Sequence, residues 1–430
     1  MSAGEPPEGH PSSWYAATAR DIGELKSLRG AERADVCVIG AGFTGLAAAL
    51  NLAERGMSVV VLEAERAGFG ASGRNGGMIG SGQSRDVLEL EKAFGVVRSQ
   101  QLWQLARLGK LEIQARIAQH GIDCDLQKGQ LVGVHSERYL GRSNEMAEVL
   151  ASRYDYPECH ALDEDGVRGM VATEDFLEGL YDAGAMTLHP LNFCLGLASA
   201  AREAGVRIYE RTPVTRFSRT DPATVSTQEG SVSASFVVLA CNGYLGSLEP
   251  RLADTMVPVN NFMIATEPLD EQRAAMLIGG RFGVNDTRPA VSYFRLTDDR
   301  RLLFGGGEGY RGEFPDDIAD FVRPHLLKVF PQLDDLSIEY AWGGTVGVTM
   351  ERLPHVGRLE PNVYFAHGYN GHGISIANLA GKLMAEAIDG QAKRFDMMAT
   401  LPVTPFPDGT RQTYPGMVLG TLYNALKDRL

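Results

Sequence analysis

The chain has 430 residues, 44% apolar and 22% charged, a composition typical of a folded globular protein that excludes a disordered chain. Its formal net charge is -13 and it contains no block of lysine or arginine, which argues against binding to nucleic acid or to an anionic membrane surface. Five widely spaced cysteines form no C-x-x-C pair, so we expect no zinc or other metal site and a reducing, cytoplasmic location.

The first ordered elements form one βαβ unit. Residues 34–39 are an apolar run that ends in glycine, which is typical of a buried parallel strand. Apolar residues at helical spacing predict a helix over residues 43–55, and residues 57–62 are a second apolar strand. The stretch 36–53 has no charge and approaches the length of a membrane span, but its glycines and polar residues favour the strand–turn–helix interpretation.

The sequence after this unit predicts a second β-sheet. Residues 255–350 carry many short strand signals separated by Gly and Asp turns, which favours an antiparallel sheet, and residues 122–185 mix short strands and turns. The fold class is therefore α/β, with a Rossmann-like parallel sheet and a second, mainly antiparallel β-sheet domain. Further helices are predicted at 84–119, 191–203 and 374–389, and further strands at 206–209, 214–217, 225–232 and 236–240.

A glycine motif connects the first strand to its helix. Residues 40–45 read G-x-G-x-x-G in the strand–turn–helix context that a dinucleotide-binding turn requires. Gly40 permits the turn, Gly42 lets a pyrophosphate approach the backbone, and Gly45 lets helix and sheet pack closely. Glu63, at the end of the next strand, is positioned to accept hydrogen bonds from an adenosine ribose and disfavours a 2′-phosphate. The alternative is a glycine-rich turn without a ligand.

A second glycine-rich loop follows at residues 68–77, GFGASGRNGG. Its backbone amides can serve a pyrophosphate or flavin oxygens, and Arg74 adds a fixed positive charge. This favours a cofactor longer than NAD that continues beneath the loop. The alternative is a flexible surface loop.

These motifs resemble the FAD-dependent amine and amino-acid oxidases of the D-amino acid oxidase class, and within it most closely the γ-glutamylputrescine oxidase group. The resemblance spans nearly the whole chain in the same order. The segments that carry it are SWYAATA (13–19), GFGASGRNGG (68–77), HPLN (189–192), ATEPL (265–269), YFRLTDDRRLLFGGG (293–307), RLPHVGRL (352–359) and GYNGHG (368–373).

The resemblance implies a discontinuous FAD-binding domain and a substrate domain above the flavin. From its composition, the segment 1–30 is predicted to be a partly disordered N-terminal extension in which Trp14 and Tyr15 are candidates for docking, and residues 396–430 are assigned as a C-terminal tail. The remaining segments are assigned as 31–85, 186–252 and 355–395 to the FAD-binding domain, and 86–185 and 253–354 to the substrate domain.

The resemblance also implies which residues contact FAD. They lie in the two glycine loops, in the segment around Val214 that brackets the adenine, after the strand 236–240, and in the GYNGHG loop at the flavin pyrimidine edge. The expected contacts are Gly40, Gly42, Phe43, Thr44, Gly45, Glu63, Ala64, Gly70, Ala71, Ser72, Arg74, Asn75, Gly76, Gly77, Met78, Val214, Ala240, Cys241, Asn242, Gly371, His372, Gly373 and Ile374.

The attachment of FAD is predicted to be non-covalent. Enzymes similar to sarcosine oxidase link the flavin to a cysteine shortly before the last glycine loop. The matching stretch here, residues 341–345, reads AWGGT, and no cysteine follows Cys241.

Four residues are candidates for the reacting end of the site. Arg295 matches the strand position at which glycine oxidase presents a carboxylate-binding arginine, although it also fits a surface arginine in a charge-rich strand. Tyr293 lies on the same strand face. Trp342 fits a wall of the substrate site or an ordinary core residue. His372 fits a loop residue beside the flavin better than a proton shuttle.

The function implied is oxidation of the C–N bond of a small amine or amino acid, with hydride transfer to the flavin and O2 reduced to H2O2. The alternative is a dehydrogenase that passes electrons to a quinone or carrier protein. A flavoprotein acting with nucleic acid conflicts with the net charge, and an inactive scaffold conflicts with the intact cofactor motifs. The sequence specifies neither the amine nor the oligomeric state.

Overall fold

The computed structural model describes residues 9–309 and 313–406. Predictions that concern residues 1–8 and 407–430 lie outside this part of the chain. The helices are α1 (Trp14–Ala17), α2 (Phe43–Ala53), α3 (Val87–Phe94), α4 (Val96–His120), α5 (Arg142–Arg153), α6 (Glu164–Arg168), α7 (Pro190–Glu203), α8 (Pro250–Ala253), α9 (Glu271–Leu277), α10 (Ile318–Val329), α11 (Gly373–Ile388) and α12 (Lys393–Ala399). Short 3-10 turns lie at Ala71–Gly73, Glu137–Tyr139, Asn242–Tyr244 and Pro331–Leu333.

The described strands form two sheets. They are β1 (Gly30–Ile39), β2 (Val59–Leu62), β3 (Met78–Ile79), β4 (Gln127–Val134), β5 (Cys159–Leu162), β6 (Glu178–Thr187), β7 (Arg207–Tyr209), β8 (Arg216–Phe217), β9 (Ala223–Ser226), β10 (Gly230–Leu239), β11 (Val257–Thr266), β12 (Gly283–Asp286), β13 (Tyr293–Leu296), β14 (Leu302–Gly309), β15 (Ile338–Val348), β16 (His355–Glu360) and β17 (Val363–His367).

The first sheet has the order β16-β17-β10-β1-β2-β7, and its strands from β17 to β7 are parallel. All four residues of β2 are buried, as continuous apolar runs in a doubly covered parallel sheet should be. Helices α2 and α11 pack closely on each other because Gly381 has no side chain. A Cβ atom there would lie 2.5 Å from the Thr44 carbonyl oxygen.

The second sheet has the order β15-β11-β14-β13-β12-β4-β6-β3, with β5 paired to β6. Its neighbouring strands are antiparallel except β4 and β12, which are parallel. Helix α10 covers one face, and stacked or edge-on rings of Phe294, Phe304 and Phe330 fill the core between them. The predicted fold class, a parallel Rossmann-like sheet with a mainly antiparallel second sheet, is confirmed.

Four helices lie where the sequence predicts strands and turns. Helices α5 and α6 interrupt the 122–185 region, and α9 and α10 interrupt the 255–350 region. The two longer ones, α5 and α10, are amphipathic and bury a few residues against a sheet, and the strand signals on either side of them dominate the sequence pattern. Strand β3, from the segment assigned to the first domain, pairs with β6 in the second sheet.

The described part of the N-terminal extension, residues 9–30, is anchored to the fold. Ser13 caps α1, its Oγ accepting a hydrogen bond from Ala16 N at 3.0 Å. Trp14 is 6% exposed and Tyr15 is fully buried, with the Tyr15 ring packed edge-on against the rings of His189 and Trp342. This segment therefore contributes core side chains to the region behind the second glycine loop.

In the described part of the chain, no helix combines the length and the apolar character needed to cross a membrane.

Candidate functional site

A cavity of about 680 Å³ lies between the two sheets. One side is formed by the turn after β1, the loop between β2 and β3, the end of β10 and the start of α11. The other side is formed by one face of the second sheet, from β4 across to β15. This volume is within the range of small-molecule and cofactor sites.

The turn after β1 depends on glycine for steric reasons. Gly40 has φ +106°, and a Cβ atom there would lie 2.7 Å from the Ala240 carbonyl oxygen. A Cβ atom on Gly42 would lie 2.8 Å from Ser72 Oγ, and one on Gly45 only 1.9 Å from the Gly40 carbonyl oxygen. A larger residue at Gly40 or Gly45 would therefore displace backbone, whereas one at Gly42 would move the Ser72 side chain, whose Oγ accepts a hydrogen bond from Phe43 N.

Helix α2 begins at this turn and points its N-terminus into the cavity. Its N-cap, Gly42, supplies no capping side chain, so the first N–H groups of the helix are available to a ligand oxygen except Phe43 N, which donates to Ser72 Oγ at 3.0 Å. Glu63 accepts from Ala41 N at 2.7 Å. Burial raises the pKa of Glu63, while the N–H groups of Ala41 and Glu65 act in the opposite direction.

The second glycine loop is held in shape by its own polar side chains. Arg74 Nε donates to the Phe69 carbonyl at 2.6 Å, Nη1 donates to the Gly343 carbonyl at 3.2 Å, and the guanidinium lies 4.3 Å from the centre of the Phe69 ring. Asn75 Oδ1 accepts from Gly77 N at 2.8 Å. Arg74 thus lines the cavity with its guanidinium already engaged by one carbonyl of the loop and one of strand β15.

Helix α11 also begins at the cavity. Its N-cap, His372, makes no side-chain capping hydrogen bond. The His372 ring packs on Gly80, where a Cβ atom would lie 2.8 Å from Cε1. Burial lowers the pKa of His372, so the imidazole is neutral at pH 7. Tyr369, just before this loop, shares a 2.6 Å hydrogen bond with Thr44 of α2, which ties the two helix N-termini together.

The structure places most of the predicted site residues on the cavity surface. The exceptions among the expected cofactor contacts are Gly45 and Gly77, which act as close-packing positions behind it. The predicted residues that line the cavity are Gly40, Gly42, Phe43, Thr44, Glu63, Ala64, Gly70, Ala71, Ser72, Arg74, Asn75, Gly76, Met78, Val214, Ala240, Cys241, Asn242, Tyr293, Gly371, His372, Gly373 and Ile374.

Arg295 and Trp342 do not line the cavity. Arg295 is 1% exposed, and its Nε and Nη2 donate to the carbonyls of Gly76 and Leu188 at 3.1 and 3.0 Å. Trp342 is 2% exposed and donates from Nε1 to the Arg74 carbonyl at 3.0 Å. Both side chains support the second glycine loop from behind, so the geometry does not favour the expected carboxylate contact at Arg295.

Sequence reasoning missed the polar side chains that the second sheet presents to the cavity. Gln130, Asn261, Asn285 and Glu308 line it from four different strands. None belongs to a local motif. The only available signal was strand alternation, which indicates a shared face but not what that face contacts.

No group of three or more His, Cys, Asp or Glu side chains within residues 9–309 and 313–406 is arranged to hold a metal ion. The five cysteines are free. Cys241 lines the cavity, and burial raises the pKa of its thiol to about 12, so it is a neutral thiol at pH 7.

The family model "FAD dependent oxidoreductase" matches residues 35–387. The chain belongs to this family, which confirms the resemblance on which the predicted cofactor rested. It is an FAD-dependent oxidoreductase.

Two curated relatives match along nearly the full length. The chain is 42% identical to Gamma-glutamylputrescine oxidoreductase of Escherichia coli (strain K12), covering 98% of this chain and 99% of the relative. It is 37% identical to Probable oxidoreductase OrdL of Rhizobium meliloti, covering 97% of each. Among solved structures, glycine oxidase from Geobacillus kaustophilus shares the fold, with a TM-score of 0.72 and 21% identity over 85% of this chain and 97% of that one.

The cavity fits an adenine-flavin cofactor on structural grounds. Two helices of 11 and 16 residues begin at it without side-chain caps, and so offer N–H groups and positive dipole ends. Gly40 and Gly42, where a Cβ atom would clash with Ala240 and Ser72, leave their backbone exposed to the cavity. The Glu63 carboxylate lies at the same wall, where a ribose hydroxyl can donate to it.

Proposed function

We propose that this protein oxidises the C–N bond of a small amine of the γ-glutamylputrescine type, and that O2 is reduced to H2O2. The observation that carries the proposal is one continuous cavity that joins the glycine loops to a wall of polar side chains from the second sheet. The full-length similarity to Gamma-glutamylputrescine oxidoreductase of Escherichia coli supports the choice of substrate class.

When bound, FAD supplies the acceptor for the hydride that leaves the carbon next to the amine nitrogen. We propose that the residues predicted above hold it, without a covalent bond. The N-termini of α2 and α11 stabilise negative charge at their ends of the cavity, each by a fraction of 1 to about 2 kcal/mol. Glu63 would hold the ribose, and the second glycine loop, braced by Arg74 and Asn75, would line the cofactor.

The ionisation of the cavity side chains fits a reaction without a side-chain base. Burial lowers the pKa of His372 and raises the pKa values of Tyr293 and Tyr369, so that all three are neutral at pH 7. The two protonated phenols are therefore not bases at this pH, and the lowered pKa makes the neutral imidazole of His372 a weaker base than an ordinary histidine. We propose that the amine reacts in its uncharged form and that the protein contributes orientation and exclusion of water.

The overall reaction consumes the amine, water and O2, and it needs no other reactant. The carbon loses a hydride and the nitrogen a proton, which gives an imine, and water converts the imine to an aldehyde and ammonia. Oxygen receives the two electrons with two protons and becomes H2O2.

The test is an anaerobic titration of the flavin-loaded protein with γ-glutamylputrescine, putrescine, N-methyl amino acids, glycine and D-amino acids. The proposal requires bleaching of the flavin absorbance by γ-glutamylputrescine or putrescine, and H2O2 on admission of O2. Bleaching by amino acids alone would refute the substrate class. Turnover with a dye or quinone but not with O2 would refute the oxidase assignment and leave a dehydrogenase.

A further inference from the structure

Residues 80–82, with the sequence Gly-Ser-Gly, form a short segment that joins the cavity wall to helix α4 and is called the 80–82 segment. At one end, Gly80 lines the cavity, and a Cβ atom on it would lie 2.8 Å from Cε1 of the His372 ring. At the other end, Gly82 has φ +81°, and a Cβ atom on it would lie 2.8 Å from the Trp103 ring of α4. Because a side chain on either glycine would meet a ring, the segment is in direct contact with both His372 and Trp103.

The one side chain of this segment, Ser81, is held by a polar network. Lys110 of α4 donates from Nζ to Ser81 Oγ at 2.6 Å and to Tyr156 OH at 3.1 Å. It also donates to the Gly184 carbonyl at 2.8 Å, so three acceptors surround one nitrogen and match the three N–H bonds of an ammonium group. Ser81 Oγ and Tyr156 OH each donate onward to one oxygen of Asp182, at 2.5 and 2.6 Å. The ammonium, the two hydroxyls and the carboxylate therefore form a closed ring of hydrogen bonds.

The network is an ion pair in which two hydroxyl groups separate the ammonium from the carboxylate. Lys110, Tyr156 and Asp182 are buried. Asp182 Oδ1 accepts two further hydrogen bonds, from Gly184 N at 3.0 Å and from Ala185 N at 3.1 Å. Burial lowers the pKa of Lys110, and the Asp182 carboxylate acts in the opposite direction. A buried network whose members are all hydrogen-bonded fixes one arrangement of the groups that it joins.

Among these groups, Ser81 is the one whose position bears on the cavity. Glycine on both sides of it leaves the backbone free to take other conformations, so the hydrogen bonds of Ser81 decide where the 80–82 segment lies. His372, on which the segment packs, is the N-cap of α11 and lines the cavity. Burial lowers the pKa of its imidazole, the Lys110 charge acts in the same direction, and the backbone of Gly80 and Gly82 acts in the opposite direction. The contacts and the electrostatic surroundings of His372 therefore both depend on the segment.

We infer that Lys110 is a positioning residue for the oxidation: through Ser81 it holds the 80–82 segment against His372 and so fixes the start of α11 at the cavity. The inference deepens the proposed function and rests on it for the reaction that the test measures. Neither Lys110 nor Ser81 lines the cavity, so neither is in place to touch the cofactor or the amine. A displacement of about 1 Å at a reacting centre can lower a rate about 100-fold, and the network prevents such a displacement.

The experiment compares two buried serines. The variants are Ser81→Ala, Lys110→Met and, as a matched control, Ser99→Ala, which removes a hydroxyl that accepts from Tyr154 OH at 2.7 Å and lies outside the cavity lining. The first measurement is the NMR signal of the His372 Cε1–H group in the flavin-loaded protein at pH 7, assigned as the signal that is missing in His372→Gln. The others are the thermal midpoint and the rate of flavin reduction, per bound flavin, on anaerobic mixing with γ-glutamylputrescine.

Ser81→Ala and Lys110→Met should each shift or broaden the His372 signal, because the Gly80 contact at Cε1 is no longer fixed. Both should lower the rate of flavin reduction by about 10- to 100-fold. The double variant should be no slower than Lys110→Met alone, since both changes break the same link. In Ser99→Ala, we expect the thermal midpoint to fall by a similar few degrees, with the His372 signal and the reduction rate at their wild-type values.

A wild-type reduction rate in Ser81→Ala, with or without a shifted His372 signal, would overturn the inference. Equal losses of rate in Ser81→Ala and Ser99→Ala would also overturn it, because lowered stability would then explain both. If Lys110→Met does not fold, the comparison of the two serine variants decides. A wild-type protein that retains flavin but is reduced by neither γ-glutamylputrescine nor putrescine would instead overturn the proposed function, and the NMR comparison, which needs no amine, would still decide whether the network holds His372.

Discussion

Replacement of Arg295 by methionine distinguishes a supporting role for this side chain from the substrate-binding role that the sequence suggested. In the structure the guanidinium is buried and donates to the Gly76 and Leu188 carbonyls. Hydrogen bonds from a charged group contribute about 1.5–3 kcal/mol each, so the two together account for about 3–6 kcal/mol. Because methionine removes a buried charge and keeps part of the packing, we expect a destabilisation near 3 kcal/mol.

The effect on the cofactor follows from the position of Gly76. This glycine lines the cavity, and a Cβ atom there would lie 2.8 Å from the Tyr293 ring, so a shift of the loop changes the cavity wall directly. Arg295→Met should therefore lower both the free energy of unfolding in urea and the flavin-to-protein ratio after purification. Arg168→Met, at an exposed i,i+4 ion pair, is the matched control and should change stability by less than about 0.5 kcal/mol.

The kinetic readout can refute this reasoning. A supporting role lowers the fraction of flavin-loaded enzyme and changes KM for all amines alike. If Arg295→Met instead keeps wild-type stability and flavin content, and raises KM at least 10-fold only for amines that carry a carboxylate, then Arg295 binds the substrate carboxylate.

Three further predictions follow from the cavity. Gly42→Ala should weaken FAD retention at least 10-fold, since the added Cβ atom would lie 2.8 Å from Ser72 Oγ, whereas Gly279→Ala, whose Cβ atom would meet ordinary contacts at 3.7 Å, should leave the flavin-to-protein ratio unchanged. Acid precipitation should release all yellow colour into the supernatant, and a yellow pellet would contradict non-covalent binding. Burial holds the pKa of His372 below its ordinary value of about 6.5, so the unfolded chain binds more protons there and stability falls as the pH drops through about 6.5. His372→Gln should make acid unfolding less steep, and an unchanged slope would contradict the assignment.

The dinucleotide turn could be predicted because its parts are neighbours in the chain. The strand ending at Ile39, the glycine bend, helix α2 and Glu63 all lie within about 30 residues, and each is constrained by backbone geometry that the residue types reveal. The final glycine loop was predictable for the same reason, since helix α11 follows it directly with a periodic apolar face.

The sequence did not reveal which side chains of the second sheet reach the cavity. Gln130 lies 155 residues from Asn285 in the chain, and the strands that carry Gln130, Asn285 and Glu308 meet at the cavity only through the strand order. Any one of them, read in its local context, fits an ordinary polar residue on a solvated strand face.

Arg295 shows the same limit at a single residue. By itself the sequence determined that Tyr293 and Arg295 share a strand face, because they are two residues apart. Only the tertiary structure decided that the second glycine loop covers the Arg295 end of that face, where a Cβ atom on Gly77 would lie 3.3 Å from Arg295 Nη2, and leaves the Tyr293 ring at the cavity. Local alternation specifies a direction for each side chain, whereas the surface that meets it is set by the packing of a segment more than 200 residues away.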